Sequence, residues 1–468
     1  MTTSELCFKS VRELGALLRA RKLSPVELTR ACLERLKEHG PGLGAVATLM
    51  EESALREAAA AEREISARRY RGPLHGIPYG VKDLLATRGV PTTWGAQPYR
   101  DQVFDYDATA VIRLREAGAI LVAKLAMVEL AGGLGYNTAD ASWTGPGRTP
   151  WNRNFWSGGS SSGPAAAVAA GLAVFAIGSE TSGSILTPAA FSGVSGLRPT
   201  YGRVSRHGAM ALSWTLDKLG PMARSADDCG LVLAALAGHD PLDPSSLRGT
   251  YSHREPGSPA PSGARTPGSR RAPGARAEVR ANVEASLEVL RKFADVTLDV
   301  DWPDFPWGPA VSVIVGSEGA SAFLELVESG RAAELRCVKD RTGGLPSTLI
   351  PAVDYLHSMR LRGPMRRAAA ALFERFDAVA APTRQTVAYP VGVEFEKVYP
   401  GVGGGPALIP AGNLCGLPAL AVPNGFGEKG LPTSLSLLGA PLSEATLLEL
   451  GAAFQAATDW HRRRPPGV

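Results

Sequence analysis

Little in this chain points to metal, disulfide or membrane chemistry. Its 468 residues include five cysteines and seven histidines. The cysteines (Cys7, Cys32, Cys229, Cys337 and Cys415) are odd in number and show no C-x-x-C spacing. That argues against a disulfide framework or a zinc site and fits a reducing compartment. The histidines form no H-x-x-x-H pair, and the first residues lack the basic and apolar stretches of a secretory leader. The longest apolar run, Ala165 to Ile177, contains Gly171 and falls short of the roughly 20 residues of a membrane helix. It reads as a buried core helix. Excess charge is also scarce: 50 Lys and Arg against 45 Asp and Glu leave +5, weak support for a polyanionic partner. These absences set the expectations of no metal, no cofactor, no membrane, no nucleic acid, a cytoplasmic location, and a monomer or homodimer.

What is present suits a large core, with 44% hydrophobic residues. Residues 1–69 read as helices, including a capping box at Ser24-Pro25-Val26-Glu27 and a solvated helix from Ala47 to Arg68. Through residues 70–240, short apolar runs (Ile77–Val81, Ile120–Val122, Val174–Ile177) alternate with helical patterns such as Ala108–Glu116. That alternation predicts an α/β fold, a sheet with helices on both faces and chemistry on the loops leaving its strands. Residues 241–277 are rich in Pro, Gly and Arg and read as a flexible insert. Residues 278–376 are mostly helical after a strand at Asp295–Asp301. Residues 377–468 return to the sheet through Asp377–Thr383, Pro418–Pro423 and Leu431–Gly439, with a final helix from Ser443 to Thr458. The expectation is one domain over 1–468.

Three segments carry chemistry. Lys82 ends the apolar run of Gly76–Asp83, where desolvation disfavours the ammonium and leaves an amine able to take a proton. Ser157-Gly-Gly-Ser160-Ser161-Ser162-Gly163-Pro164 stands directly before an apolar helix, an unusual place for a floppy tether. Gly178-Ser-Glu-Thr-Ser-Gly-Ser184-Ile-Leu-Thr-Pro188 offers consecutive backbone N–H groups on a turn of small residues, the material of an oxyanion hole. Neither His75 nor His207 is needed, and nothing matches G-x-S-x-G.

In this order the segments resemble the amidase signature family of serine hydrolases. The resemblance extends through Gly89–Gly95, Thr149–Asn152, Gly196–Ser205, Asp217–Ser225, Ala381–Thr383 and Asn413–Ala419. It implies the amidase signature fold, a large twisted mixed β-sheet sandwiched between helices. It also implies Ser184 as nucleophile, Ser160 as a bridging serine held by a cis peptide bond to Gly159, and Lys82 as base. The N–H groups of Thr181, Ser182, Gly183 and Ser184 would form the oxyanion hole. The reaction expected is cleavage of C–N bonds in hydrophobic or aromatic amides through an acyl-enzyme, with carbamates (urethanes) and esters open to the same chemistry. The alternative is the A-type subunit of an amidotransferase, a glutaminase serving tRNA transamidation.

Two departures bear on that choice. The family's nucleophile loop often carries Asp where this chain has Glu180, and Arg where it has Leu186. In the tRNA-transamidating branch those polar residues grip the amino-acid end of a glutamine donor, and leucine removes a bidentate carboxylate clamp. The loop is closer to peptide amidases and aryl amidases, which favours a small-molecule amide or carbamate substrate. Substrate contacts are expected from Met127 and the Gly135-Tyr136-Asn137 turn. Trp302, Phe305, Trp307, Leu345, Ile350 and Tyr355 either make an aromatic entrance or fill the core beneath a cap. The family's strand before the helix at Glu278–Phe293 has no apolar counterpart in the insert.

Overall fold

The computed structural model describes residues 2–254, 264–268, 274–298, 300, 302–400, 402 and 408–468. One mixed sheet collects β1 (Val46–Leu49), β2 (Pro78–Lys82), β3 (Ile120–Leu125), β4 (Phe175–Glu180), β5 (Ser195–Arg198), β6 (Lys218–Ala223), β7 (Ala264–Gly268), β8 (Ala294–Leu298), β9 (Ala378–Pro382), β10 (Ala419–Phe426) and β11 (Pro432–Gly439). Their order across the sheet is β1-β3-β2-β4-β6-β5-β10-β11-β9-β7-β8. β2 runs parallel to both β3 and β4, whereas β4–β6, β5–β6 and β10–β11 are antiparallel.

Alternation along the strands divides their side chains between two cores, because successive Cβ atoms point to opposite faces. Tyr79, Val81, Phe175, Ile177, Leu420 and Val422 enter one core, covered by helices Val11–Arg19, Ala226–Leu236, Ala277–Leu290 and Glu444–Ala456. Ile120, Val122, Ala176, Ala419 and Ala421 enter the other, covered by Pro25–Leu43, Ser162–Ala169 and Ala352–Phe373. A strand buried on both sides reads as a continuous apolar run rather than an alternating one, which is why the central strands are visible in the sequence.

Four local expectations are corrected. The run from Ala165 to Ile177 is not one helix: the helix Ser162–Ala169 ends, Gly171 turns the chain at φ +64°, and β4 begins at Phe175. The segment after Gly44 opens as β1 before the helix Glu51–Ser66 starts. Ser24 caps its helix by accepting from Val26 and Glu27 N–H while its hydroxyl donates to Glu62, but the Glu27 side chain does not return to Ser24 N–H, so the capping box is half made. The insert contains a strand after all: β7 pairs in parallel with β8 along its length and meets β9 at Gly268–Ala380. Backbone hydrogen bonds, rather than side-chain pattern, give that strand its place. The rest of the 255–273 stretch lies outside the described residues. Before it, Tyr251 is buried and its hydroxyl meets His253 Nδ1 at 3.0 Å, while His253 Nε2 lies 2.8 Å from Asp227. No helix among the described residues is long and apolar enough to cross a membrane.

Candidate active site

Because β2 and β4 are parallel neighbours, their C-terminal ends deliver Lys82 and Ser179–Glu180 to the same edge of the sheet, where open α/β folds place ligands. Lys82 is fully buried, with Nζ 2.6 Å from Ser160 Oγ and 2.9 Å from Ser179 Oγ. Burial pushes its pKa down to about 7, against the opposing pull of Asp217 and Glu180. Near neutrality a large fraction of this lysine is therefore a free amine.

Ser160 precedes the helix Ser162–Ala169, and the Gly159–Ser160 peptide bond is cis. Its carbonyl accepts from Val128 N–H at 3.1 Å, and Ser161 N–H donates to the Ser184 carbonyl at 3.3 Å. The two serine-bearing loops thus touch backbone to backbone. Gly158 makes that approach possible: it holds φ +87°, and a Cβ there would sit 2.5 Å from Pro188 Cα. Ser184 is 9% exposed, and its hydroxyl makes no hydrogen bond to another described residue. The backbone N–H groups of Thr181, Ser182, Gly183 and Ser184 likewise donate to no described residue. Gly183, at φ +91°, turns this row of donors.

The loop is fixed from below. Glu180 Oε2 accepts from Ile185 and Leu186 N–H at 2.9 and 3.0 Å, and Oε1 accepts from Arg198 Nη1 and Asn413 Nδ2, both at 2.9 Å. Burial alone would raise this carboxylate's pKa; Arg198, Asn413 and Lys218 outweigh it and hold the group at about 2. The Arg198–Glu180 pair is entirely inaccessible. Removing one member of such a pair strands a buried charge, so Arg198→Met is expected to lose about 3–5 kcal/mol in urea denaturation. The Glu180→Gln/Arg198→Met double variant is expected to recover part of it. The contribution is present above the usual Glu pKa and disappears as pH falls towards 2.

Asp217 ties the other side of the loop. Thr181 Oγ1 donates to its Oδ1 at 2.6 Å, and Leu212 and Ser213 N–H donate to its Oδ2, both at 2.9 Å. Sequence alone gave Ser179, Asp217, Arg198 and Asn413 no role. The last three stand in the motifs Asp217–Ser225, Gly196–Ser205 and Asn413–Ala419, so a signal was there without a function attached.

The expected substrate contacts are scattered by comparison. Met127 is fully buried in the core, and Gly135 is at the surface. Tyr136 packs edge-on against Trp156 and Phe395, at 6.0 and 5.9 Å between ring centres. Asn137 accepts from Phe395 N–H through its carbonyl. A cavity of about 190 Å³ opens beside Ser179 and Thr181, walled by Leu84, Met210, Leu212 and Trp214 and also by Arg206, His207, Asp217 and Asp243. Its walls come largely from a loop far along the chain, which no local pattern marks as a pocket. Trp302, Phe305 and Trp307 pack on one another and against the second core, whereas Leu345 is exposed. Tyr355 donates to Glu318 at 2.8 Å. His75 accepts from Arg71 N–H and faces Glu64, and His207 packs near Tyr106.

The amidase family profile matches residues 27–448. The A-type subunit of the glutamyl-tRNA(Gln) amidotransferase of Moorella thermoacetica is 37% identical, over 98% of this chain and 99% of its own length. The peptide amidase of Stenotrophomonas maltophilia superposes with a TM-score of 0.84 at 31% identity, covering 98% of each chain. A bacterial aryl acylamidase shares the fold, with a TM-score of 0.85 at 24% identity over 98% of this chain and 99% of its own. The first of these relatives contradicts the expectation of a monomer or homodimer without nucleic acid, since it is named for a tRNA and as one component of an assembly. The expectation rested on a small net charge, and net charge reports neither how charge is distributed nor what a surface meets. Matched to the family profile through both serine loops and the lysine strand, and to full-length relatives beyond them, the chain belongs to the amidase signature family.

Proposed function

We propose that this chain hydrolyses the C–N bond of hydrophobic or aromatic amides through a Ser184 acyl-enzyme. The observation that carries the reading is the buried contact between Lys82 Nζ and Ser160 Oγ beside the Ser184 loop. Ser184 Oγ attacks the carbonyl carbon while its proton passes to Ser160 and the Ser160 proton to the neutral Lys82 amine. The N–H groups of residues 181–184 receive the developing oxyanion, each donor contributing about 10²–10³ in rate. As the tetrahedral intermediate collapses, the C–N bond breaks and the proton returns along the same path to the leaving amine. Water then releases the acyl group by the reverse relay. Carbamates and esters pass through the same intermediate and share the route.

Two features support an apolar acyl group. Leu186 is buried where a guanidinium clamp would stand, and Glu180 is fully engaged with Arg198, Asn413 and two backbone N–H groups. Neither is free to hold the charged end of a glutamine donor.

The sequence relatives favour a second reading more strongly than this one: an amidotransferase A-type subunit that releases ammonia from glutamine for transamidation of a charged tRNA. A hydrolysis panel separates the two. The purified chain alone is expected to cleave an aryl anilide and a hydrophobic peptide amide with kcat/KM at least roughly tenfold above glutamine, and an aryl carbamate and ester detectably. Glutaminase activity that emerges only with partner proteins and glutamyl-tRNA, with no anilide hydrolysis, would establish the second reading instead.

A further inference from the structure

Two helices, Val11–Arg19 and Glu51–Ser66, end side by side, and each is followed by an arginine in the left-handed region: Arg21 at φ +56° and Arg68 at φ +59°. Glycine or asparagine is the usual occupant of that conformation, which disfavours a branched-off Cβ by about 1–2 kcal/mol. Both arginines line one concavity of about 840 Å³ together with Arg19 and Tyr70. A second concavity of about 740 Å³ shares Arg21 and Ile65 with the first and adds Lys22 and Arg63. The two form one groove.

Five cations therefore face this groove: Arg19, Arg21, Lys22, Arg63 and Arg68. None has a carboxylate of a described residue within ion-pair distance. Three acids lie nearby. Glu64 is paired with Arg71 and lies near His75, whereas Glu62, which accepts from the Ser24 hydroxyl, and Glu27 line the Ser24 end of the second concavity and keep their charges there. With these two carboxylates and about half a negative charge from each helix C-terminus set against the five cations, the groove keeps an excess of about +2. Tyr70 is half-buried in the wall with the Arg19 guanidinium 5.9 Å from its ring centre.

The groove is not a second entrance to the catalytic lysine. Tyr70 and Pro73 lead into the N-terminal end of β2 and Lys82 closes its C-terminal end, so a strand length of roughly 15 Å separates them. An extended run of cations with an aromatic side chain in its wall is how proteins hold single-stranded nucleic acid without reading sequence. We propose that this groove binds the phosphate backbone of a single-stranded RNA segment. Two helix ends that lie apart along the chain gather these cations in one place, which the net charge of the whole sequence does not reveal. The proposal does not depend on which amide the active site cleaves.

The test is fluorescence anisotropy with a fluorescein-labelled 12-nucleotide oligouridylate and the full chain, from 50 to 200 mM NaCl. Binding is expected, with a slope of log K against log salt of about −2 to −3.5, the value for three to five phosphates on a single strand. Arg21→Glu/Arg68→Glu is expected to weaken binding at least tenfold at 100 mM salt, with unchanged anilide hydrolysis and a Tm lowered by no more than a few degrees, the effect of two carboxylates at helix C-termini. Arg367→Glu/Arg375→Glu, the same charge change on exposed arginines elsewhere, is expected to leave it within twofold. Equal loss in both double variants would reduce the effect to bulk charge and overturn the proposal. So would no binding by the wild type at 50 mM salt, or retention on phosphatidylglycerol vesicles without binding to the oligouridylate.

Discussion

Ser184→Ala is expected to reduce kcat for an aryl anilide by about 10⁴–10⁶-fold while leaving the thermal unfolding midpoint within a degree or two of the wild type. The size follows from what the hydroxyl alone supplies. Without Oγ no acyl-enzyme forms, and what is left is water attacking a carbonyl held by the same oxyanion donors, a residual catalysis of about 10³–10⁴ over solution. The small stability effect follows from its surroundings: the Ser184 hydroxyl makes no hydrogen bond to a described residue, so its removal strands no partner. Its carbonyl, which accepts from Ser161 N–H, is untouched by the substitution. Steady-state hydrolysis beside circular-dichroism melting checks both halves. Activity within tenfold of the wild type would remove Ser184 from the nucleophile role.

Lys82→Met carries the second large effect, with opposite signs for activity and stability. Loss of the base is expected to lower kcat/KM by about 10²–10⁴-fold. Stability is expected to rise. The amine's pKa is about 7 in the folded chain against an ordinary lysine value of 10.5. Between those pH values the unfolded chain binds a proton that the folded one does not, so the wild type gains stability as pH rises through the window. Below pH 7 the buried ammonium imposes its whole penalty. Methionine, of similar length and uncharged, escapes it, and the loss of the Lys82 partner of the buried Ser160 and Ser179 hydroxyls offsets only part of that gain. The melting temperature of the variant should therefore exceed that of the wild type most at pH 6, and the gap should narrow towards pH 10. A residue that costs stability where it stands and gives activity in return is a functional group rather than a structural one.

The two halves of the site were unequally legible in the sequence. Lys82, Ser160 and Ser184 stand in short stretches whose local chemistry is unusual: a lysine ending an apolar strand, a serine-glycine loop running into a wholly buried helix, a small-residue turn after a strand. Each can be read without knowing what it folds against. Arg198 and Asn413 could not be read that way. They meet Glu180 from 18 and 233 residues away, and only the sheet order that sets β5 and β10 side by side brings them under the Ser184 loop. Asp217 reaches Thr181 for a similar reason, since antiparallel β4 and β6 pair Glu180 with Lys218.

The fold shows the same divide. Strands β2, β3 and β9 are short and largely apolar on both faces, and the sequence places them within a few residues. β7, built from Ala-Arg-Thr-Pro-Gly, has no apolar pattern and owes its place to neighbours on either side. The run from Ala165 to Ile177 misled because Ala and Val are compatible with either a buried helix or a buried strand. One glycine at positive φ decided where the first ends and the second begins. The cavity beside Thr181 has no signal in the sequence, because the loop holding Met210, Leu212 and Trp214 carries no pattern of its own.

The most direct test of the relay is the pH dependence of covalent labelling by a fluorophosphonate, followed by intact mass and by peptide mapping. One adduct on Ser184 is expected, at a rate that climbs from pH 5 through a midpoint near 7 as the Lys82 amine loses its proton, then levels off. In Lys82→Met the rate should be slow and lack that midpoint. Labelling at a different residue, or a wild-type rate that is flat from pH 5 to 10, would contradict the account.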